Sequence, residues 1–279
     1  MQTGMPSRTA LAAAAHRAAH QLLEQGRIFA DPLALKILGP EAAAAVRESS
    51  ERPFSRGMRL FIAARARMAE DALHAAVAAG VRQLVLLGAG LDTYAYRGAL
   101  RDRLRIFEVD HPATQAWKRE RLSEVAIPLP PALTFAPIDF EREGLADALE
   151  RAGYDSAMPS FFTWLGVVPY LAADTVWSTL TYIAGSTAAA HVVFDYSDPP
   201  EALSGEAQAV RAERAARVAA LGEPWLSHFE PQVVAARLGA LGFAAVEDLG
   251  PRELMRRYLP AASTAFPERG GHVLHAWRA

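Results

Sequence analysis

QLVLLGAGLDT, residues 83–93, and FEVD, residues 107–110, decide the fold between them. Gln83 to Leu87 is a short apolar run that stops at Gly88-Ala89-Gly90, the pattern of a strand covered on both faces. The two glycines allow a tight turn and let backbone approach a ligand closely. Asp110 closes the next apolar run about twenty residues beyond the turn, the spacing at which a carboxylate accepts both hydroxyls of a ribose. Glu108 shares its face by strand alternation, but Asp110 stands nearer the strand end and is the expected ribose ligand. The competing role for Asp110 is a helix cap before His111-Pro112. Thr93 occupies the third position of the dinucleotide fingerprint, which argues against a bound pyrophosphate.

Outward from this pair, apolar runs at 104–109, 133–138, 160–168 and 191–196 alternate with segments of helical composition, which predicts an α/β fold with a parallel sheet. Upstream, the first eighty residues read as helices. Thr9 is an expected N-cap, Asp31-Pro32 starts another turn, the Ala-rich stretches at 11–19 and 42–45 favour helix, and residues 63–79 form a helix that Gly80 ends. Downstream, a helix at 232–241, a strand at 243–249, a short helix at 252–258 and a strand at 272–277 suit a closing hairpin. Between them a charged, Ala-rich helix at 206–221 precedes Gly222-Glu223-Pro224-Trp225; it is either a lid over ligand or a solvated helix covering the sheet. With no repeat or low-complexity linker, a single domain over 1–279 is expected: a helical cap at 1–80, a core at 81–198, a lid at 199–231 and the rest of the core at 232–279.

Composition excludes several functions. The 29 basic and 31 acidic residues balance to −2, and neither sign forms a block that would track a phosphate backbone, so no nucleic-acid partner is expected. The absence of cysteine removes disulfides, thiolate nucleophiles and Cys-ligated metals. The apolar stretch 161–173 falls short of the roughly 20 residues that span a bilayer, and Pro169 interrupts it. With no convincing leader, a cytoplasmic protein without membrane attachment is expected. His16 and His20 have the spacing of a helical metal pair but lack the glutamate of H-E-x-x-H, and His272 and His275 are expected on opposite faces of a strand. No metal site is expected.

At the third strand's end, Asp139-Phe140 offers a carboxylate to an adenine amino group and a backbone N–H to a ring nitrogen. At the fourth, Trp164-Leu165-Gly166-Val167-Val168-Pro169-Tyr170-Leu171 mixes apolar, small and aromatic residues, a setting in which aromatic faces and carbonyl oxygens stabilise a sulfonium.

With these clusters in order, the chain resembles the leucine carboxyl methyltransferase family, in particular its bacterial branch. The resemblance is carried by Arg65-Ala66-Arg67, QLVLLGAGLDTYAYR at 83–97, FEVDHP at 107–112, Asp139-Phe140, TWLGVVPYL at 163–171 and LGEPW at 221–225. It implies a class I, Rossmann-like methyltransferase sheet of seven strands with the last antiparallel, helices on both faces, and an N-terminal helical portion closing over S-adenosyl-L-methionine. By the same resemblance Gly88 and Gly90 hold the cofactor's methionine part, Asp110 its ribose, Asp139 and Phe140 its adenine, and Arg17 and Arg65 its carboxylate; Trp164 and Leu165 of the fourth-strand motif are expected beside the cofactor. Eukaryotic members carry a glutamate near the cofactor where this chain has Leu165.

Methyl transfer to oxygen is an in-line displacement in which alignment supplies several kcal/mol. A carboxylate acceptor needs no base, and the fourth-strand motif offers none, so O-methylation of a carboxylate on a small molecule or peptide end is expected. Tyr170 is the expected catalytic residue, orienting the acceptor; Arg67 or Arg97 are candidates to hold a substrate anion. The rivals are an NAD-dependent oxidoreductase and a non-catalytic module that binds the cofactor.

Overall fold

The computed structural model describes residues 7–39, 46, 53–139, 143–187 and 189–278. Phe140 and the helix expected at 42–45 lie outside the described residues.

The run at 83–87 forms β1 (Gln83–Leu87), every residue buried, as its unbroken apolar character requires. It pairs in parallel with β2 (Arg105–Asp110) on one side and β4 (Ser160–Trp164) on the other. With β3 (Leu133–Pro137), β5 (Ala190–Ser197), β6 (Ala245–Leu249) and β7 (Gly271–Arg278) the sheet has seven strands in the order β3-β2-β1-β4-β5-β7-β6. Only β7 runs antiparallel to its neighbours β5 and β6. The β6–β7 connection is not a tight hairpin, because the helix Pro251–Tyr258 lies within it.

Because successive side chains on a strand point to opposite faces, the sheet divides its apolar residues between two layers. Val85, Leu87, Phe107, Val109, Phe162 and Phe194 pack on one face against Leu149, Leu180 and Leu238. Leu84, Leu86, Ile106, Phe161 and Val193 pack on the other against Leu60, Ala64, Met68 and Leu73 of a long helix. Burying one such leucine or phenylalanine contributes about 1.5–3 kcal/mol, so these two layers carry most of the driving force.

The α-helices among the described residues include α1 (Arg8–Leu23), α2 (Ala34–Leu38), α3 (Pro53–Ala78), α4 (Tyr94–Arg97), α5 (Pro112–Glu124), α6 (Leu145–Arg151), α7 (Ala173–Ser186), α8 (Gly205–Ala220), α9 (Pro231–Ala240) and α10 (Pro251–Tyr258). Two boundaries correct the sequence reading. The N-cap of α1 is Ser7, whose hydroxyl accepts from Ala10 N at 3.2 Å, and Thr9 already lies inside the helix. The fourth strand ends at Trp164 rather than 168, because Gly166 turns the chain at φ +74° and Val168–Tyr170 forms a short 3-10 turn. The helix at 205–220 has no buried residue, so it rides on the surface.

Candidate functional site

The strand order reverses at β1, whose neighbours β2 and β4 leave in opposite directions; in an open parallel sheet this divergence opens the ligand crevice at the strands' carboxyl ends. The glycine turn lies there. Gly88 and Gly90 have φ of +62° and +45°, the left-handed region that glycine occupies without strain. A Cβ on Gly88 would stand 2.3 Å from a Val167 methyl, and one on Gly90 would stand 3.1 Å from Ala10 Cβ. The turns after β1 and β4, and the first turn of α1, therefore meet on glycine.

Asp110 ends β2 with its carboxylate turned back to the glycine turn, accepting from Gly90 N at 2.5 Å and from its neighbour His111 N at 2.6 Å. Burial pushes its carboxyl upward, and these two N–H donors pull against that. Two oxygens with four lone-pair sites leave acceptor capacity for a diol. Glu108 is engaged elsewhere: fully buried, it receives Lys118 Nζ at 2.7 Å and the Tyr96 hydroxyl at 3.1 Å. Asp139, half-buried, follows Ile138, whose N–H donates to Asp110 O at 2.9 Å, so the ends of β2 and β3 are zipped side by side.

Arg17 and Arg65 come to this rim through internal carboxylates. Arg17 donates through Nε to Asp31 at 2.9 Å and through Nη2 to the Leu91 carbonyl at 2.6 Å, tying α1 to the glycine turn. Asp31 also takes the Thr93 hydroxyl at 2.8 Å, so the residue that breaks the dinucleotide fingerprint anchors the N-terminal segment. Arg65 lies over Gly166, where a Cβ would come 2.8 Å from its guanidinium, and donates to Asp195 at 2.7 Å. The same carboxylate accepts from Gly166 N at 2.5 Å, fixing the turn after β4.

Not every expected residue arrives. Trp164 is fully buried in the layer containing Phe194, facing away from the crevice side that Leu165 takes, and its indole N–H has no partner. Leu165 lines a cavity of about 20 Å³ with Glu70, Asp92, Tyr94 and Thr163. Arg67 is exposed and paired with Asp71 at 2.8 Å, a surface i,i+4 contact. Arg97 is bound to Glu70 at 2.6 Å and to Thr93 at 2.8 Å, holding α4 in place. Both arginines are thus ion-paired within the chain.

The roof of the crevice is built by the segment after α8. Glu223 accepts from Arg8 N at 3.0 Å, Thr9 N at 3.1 Å and the Ser7 hydroxyl at 3.1 Å. Leu226 N donates to Pro169 O at 2.6 Å, and the Ser227 hydroxyl to Val168 O at 2.8 Å. Tyr170 stands where these pieces meet, beside Trp225 and Thr9; burial raises its pKa. His16, on α1, is lowered to about 4 by burial and by the charges of Arg59, Arg65 and Arg214, so it is neutral at pH 7 among three arginines. Sequence reasoning quoted LGEPW but gave Glu223 no role, and it passed over Asp195, Asp31 and His16 as site members. The available signal for Asp195 was a carboxylate inside an otherwise apolar strand.

Among the described residues no group of three or more His, Asp or Glu is arranged to hold a metal ion, and no helix is long and apolar enough to cross a membrane.

Residues 10–184 match the family model described as leucine carboxyl methyltransferase. YktD of Bacillus subtilis (strain 168), provisionally named as an S-adenosyl-L-methionine-dependent methyltransferase, is 34% identical over 68% of this chain. That match spans 63% of the relative's own length, short of two thirds. Among solved structures, a DUF574 family protein from Streptomyces avermitilis superposes with a TM-score of 0.56 at 15% identity, covering 95% of this chain and 97% of that one. Human N-acetylserotonin methyltransferase, solved in complex with SAM, gives 0.50 at 14% identity over 97% of this chain and 66% of its own. At such identities the likeness is one of fold, a class I, Rossmann-like methyltransferase sheet.

Proposed function

The chain belongs to the leucine carboxyl methyltransferase family, and from that premise we propose that it transfers a methyl group from S-adenosyl-L-methionine to a carboxylate oxygen of a small molecule or peptide end. We treat residues 1–279 as one methyltransferase domain acting without metal, nucleic acid or membrane. The observation that carries this reading is the closure of Asp110 onto the Gly90 N–H at the switch point, where a ribose carboxylate and a close-approach glycine turn stand together.

The residues fit the cofactor. Gly88 packs against Val167 with no space for a Cβ, and its positive φ suits glycine at the turn beside Asp110. Asp110 would take the ribose hydroxyls, Asp139 the adenine amino group with Phe140 beside it, and Arg65 and Arg17 the methionine carboxylate, with Leu165 lining the wall below. When bound, S-adenosyl-L-methionine supplies an electrophilic methyl group on a sulfonium. The chain's task is alignment and exclusion of water: α1 and the segment 221–227 cover the rim, and Tyr170 orients the acceptor. A carboxylate oxygen forms the new O–CH3 bond as the S–CH3 bond breaks, and no proton moves.

A hydroxyl acceptor is the second reading, because an imidazole kept neutral has the protonation state of a general base. Thermal unfolding with S-adenosylhomocysteine and with NADH separates the methyltransferase reading from the oxidoreductase: only the true ligand raises Tm. Labelled methyl transfer into a metabolite extract then separates the acceptors, since a methyl ester is released by alkali and a methyl ether is not. Protein stabilised by NADH alone would abandon the proposal.

A further inference from the structure

α1 has no acidic residue in its first turn, so its own sequence leaves the exposed N–H groups there without a negative partner. Glu223 supplies that partner from 214 residues away, one oxygen accepting from Arg8 N and the other from Thr9 N and the Ser7 hydroxyl. The first turn held this way carries Ala10, which lies on Gly90, and Thr9, which stands beside Tyr170. Two residues beyond Glu223, Trp225 stands beside Tyr170 and lies under the Arg211 guanidinium at 5.1 Å. The helix behind it has no buried residue to hold it down, and Glu223 N is tied back to Val218 O at 3.1 Å. The segment's position over the crevice thus depends on a few polar contacts, among which Glu223 is charged and makes three.

Resting on the cofactor reading above, we infer that Glu223 is a positioning residue that latches the strap 221–227 to the N-terminus of α1, and that opening this latch gates exchange of the cofactor. It touches no reacting atom. It acts by holding α1 down on the glycine turn and Trp225 against Tyr170, so its loss changes how fast ligand leaves more than whether the protein folds.

The test compares wild type with Glu223→Ala, Glu223→Gln and Glu223→Asp, using S-adenosylhomocysteine as probe in stopped-flow release and amide hydrogen exchange of the ligand-free proteins. Glu223→Ala is expected to release the probe about tenfold faster and to lose protection at the Arg8 and Thr9 amides. Glu223→Gln, which keeps the shape and one acceptor oxygen, falls between, and Glu223→Asp restores much of the wild-type rate. Wild type that binds the probe while Glu223→Ala releases it at the wild-type rate overturns the latch and leaves the function standing. Wild type that binds no probe overturns the function and the gating role together. Unchanged amide protection in Glu223→Ala overturns the latch whatever the ligand does.

Discussion

The floor and the roof of the crevice are made differently. The floor is backbone: the glycine turn and the ends of β1, β2 and β4, backed by fully buried Val85, Leu87, Phe107 and Phe162. The roof is side chains: the start of α1 and residues 221–227, much of it exposed, joined through Glu223 and Ser227. Dense apolar burial confines a region to a single arrangement of high local stability, whereas a region held by a few surface polar contacts opens at low cost. A rigid seat for a cofactor and a yielding cover for exchange need those two kinds of construction.

The sharpest way to break the floor is Asp110→Ala. It removes the ribose acceptor and also leaves the Gly90 and His111 N–H groups without their carboxylate, so the turn itself is loosened. Charge-assisted hydrogen bonds lost in this way weaken binding by about two orders of magnitude. Calorimetric titration with S-adenosylhomocysteine measures this, and an affinity within about threefold of wild type removes Asp110 from the ribose site. No comparable loss is expected from any single change in the roof.

Gly88→Ala attacks the same region sterically. The new Cβ meets a Val167 methyl at 2.3 Å, and φ of +62° is unfavourable for alanine. Overpacking and backbone strain together cost roughly 2–4 kcal/mol, a Tm drop of roughly 5–10 °C in a chain this long. Adding Val167→Ala should return the packing contribution and leave the backbone contribution. A double variant no more stable than Gly88→Ala alone shows that the two turns do not meet as described.

How much of this was legible in the sequence follows the same division. The strands, their alternation and the glycine turn were readable because each is specified by neighbouring residues. β1 and the turn at 88–90 lie where QLVLLGAG put them. The choice of Asp110 over Glu108 as the carboxylate at the strand end rested on alternation and position alone, and Glu108 does turn inward to Lys118. Trp164 was harder: both faces of β4 are covered, so alternation separates Trp164 from Leu165 without saying which faces the crevice side. The roof was hidden because its bonds join distant residues, Glu223 to Thr9 and Asp195 to Arg65, and no local pattern encodes a partner that far away. Arg97 looked available for the same reason; its partner Glu70 is 27 residues upstream.

pH tests a third region of the sheet, its far edge, where His272 joins β7 to Asp248 of β6 at 3.0 Å and to Asp198 just after β5 at 3.2 Å. Burial opposes protonation there, but the two carboxylates prevail and raise the imidazole from 6.5 to about 9. A native pKa above the unfolded one stabilises fully below about pH 6.5, and that stability is lost as pH rises through about 9. The contribution is on the order of 2–3 kcal/mol. His16 and His275, each lowered to about 4, act with the opposite sign and withdraw stability as pH falls from 6.5. Urea unfolding should therefore show a maximum between these limits, and His272→Gln should flatten its alkaline side. An unaltered alkaline decline in the variant excludes His272 as its source.

The smallest expected effect is in the roof and bears on what Tyr170 does. Its hydroxyl stands beside Trp225 and Thr9 and carries a proton that it can give to an acceptor oxygen. Burial raises its pKa, and the proton is therefore retained at neutral pH for an acceptor oxygen. Tyr170→Phe deletes this donor with little change in volume and leaves the glycine turn and Asp110 untouched. Turnover should fall more than about tenfold while the affinity for S-adenosylhomocysteine stays at the wild-type value. A pin of the roof alone would show the reverse, faster probe release with turnover on a saturating acceptor unchanged. The split between the two measurements thus assigns the hydroxyl to the acceptor or to the cover.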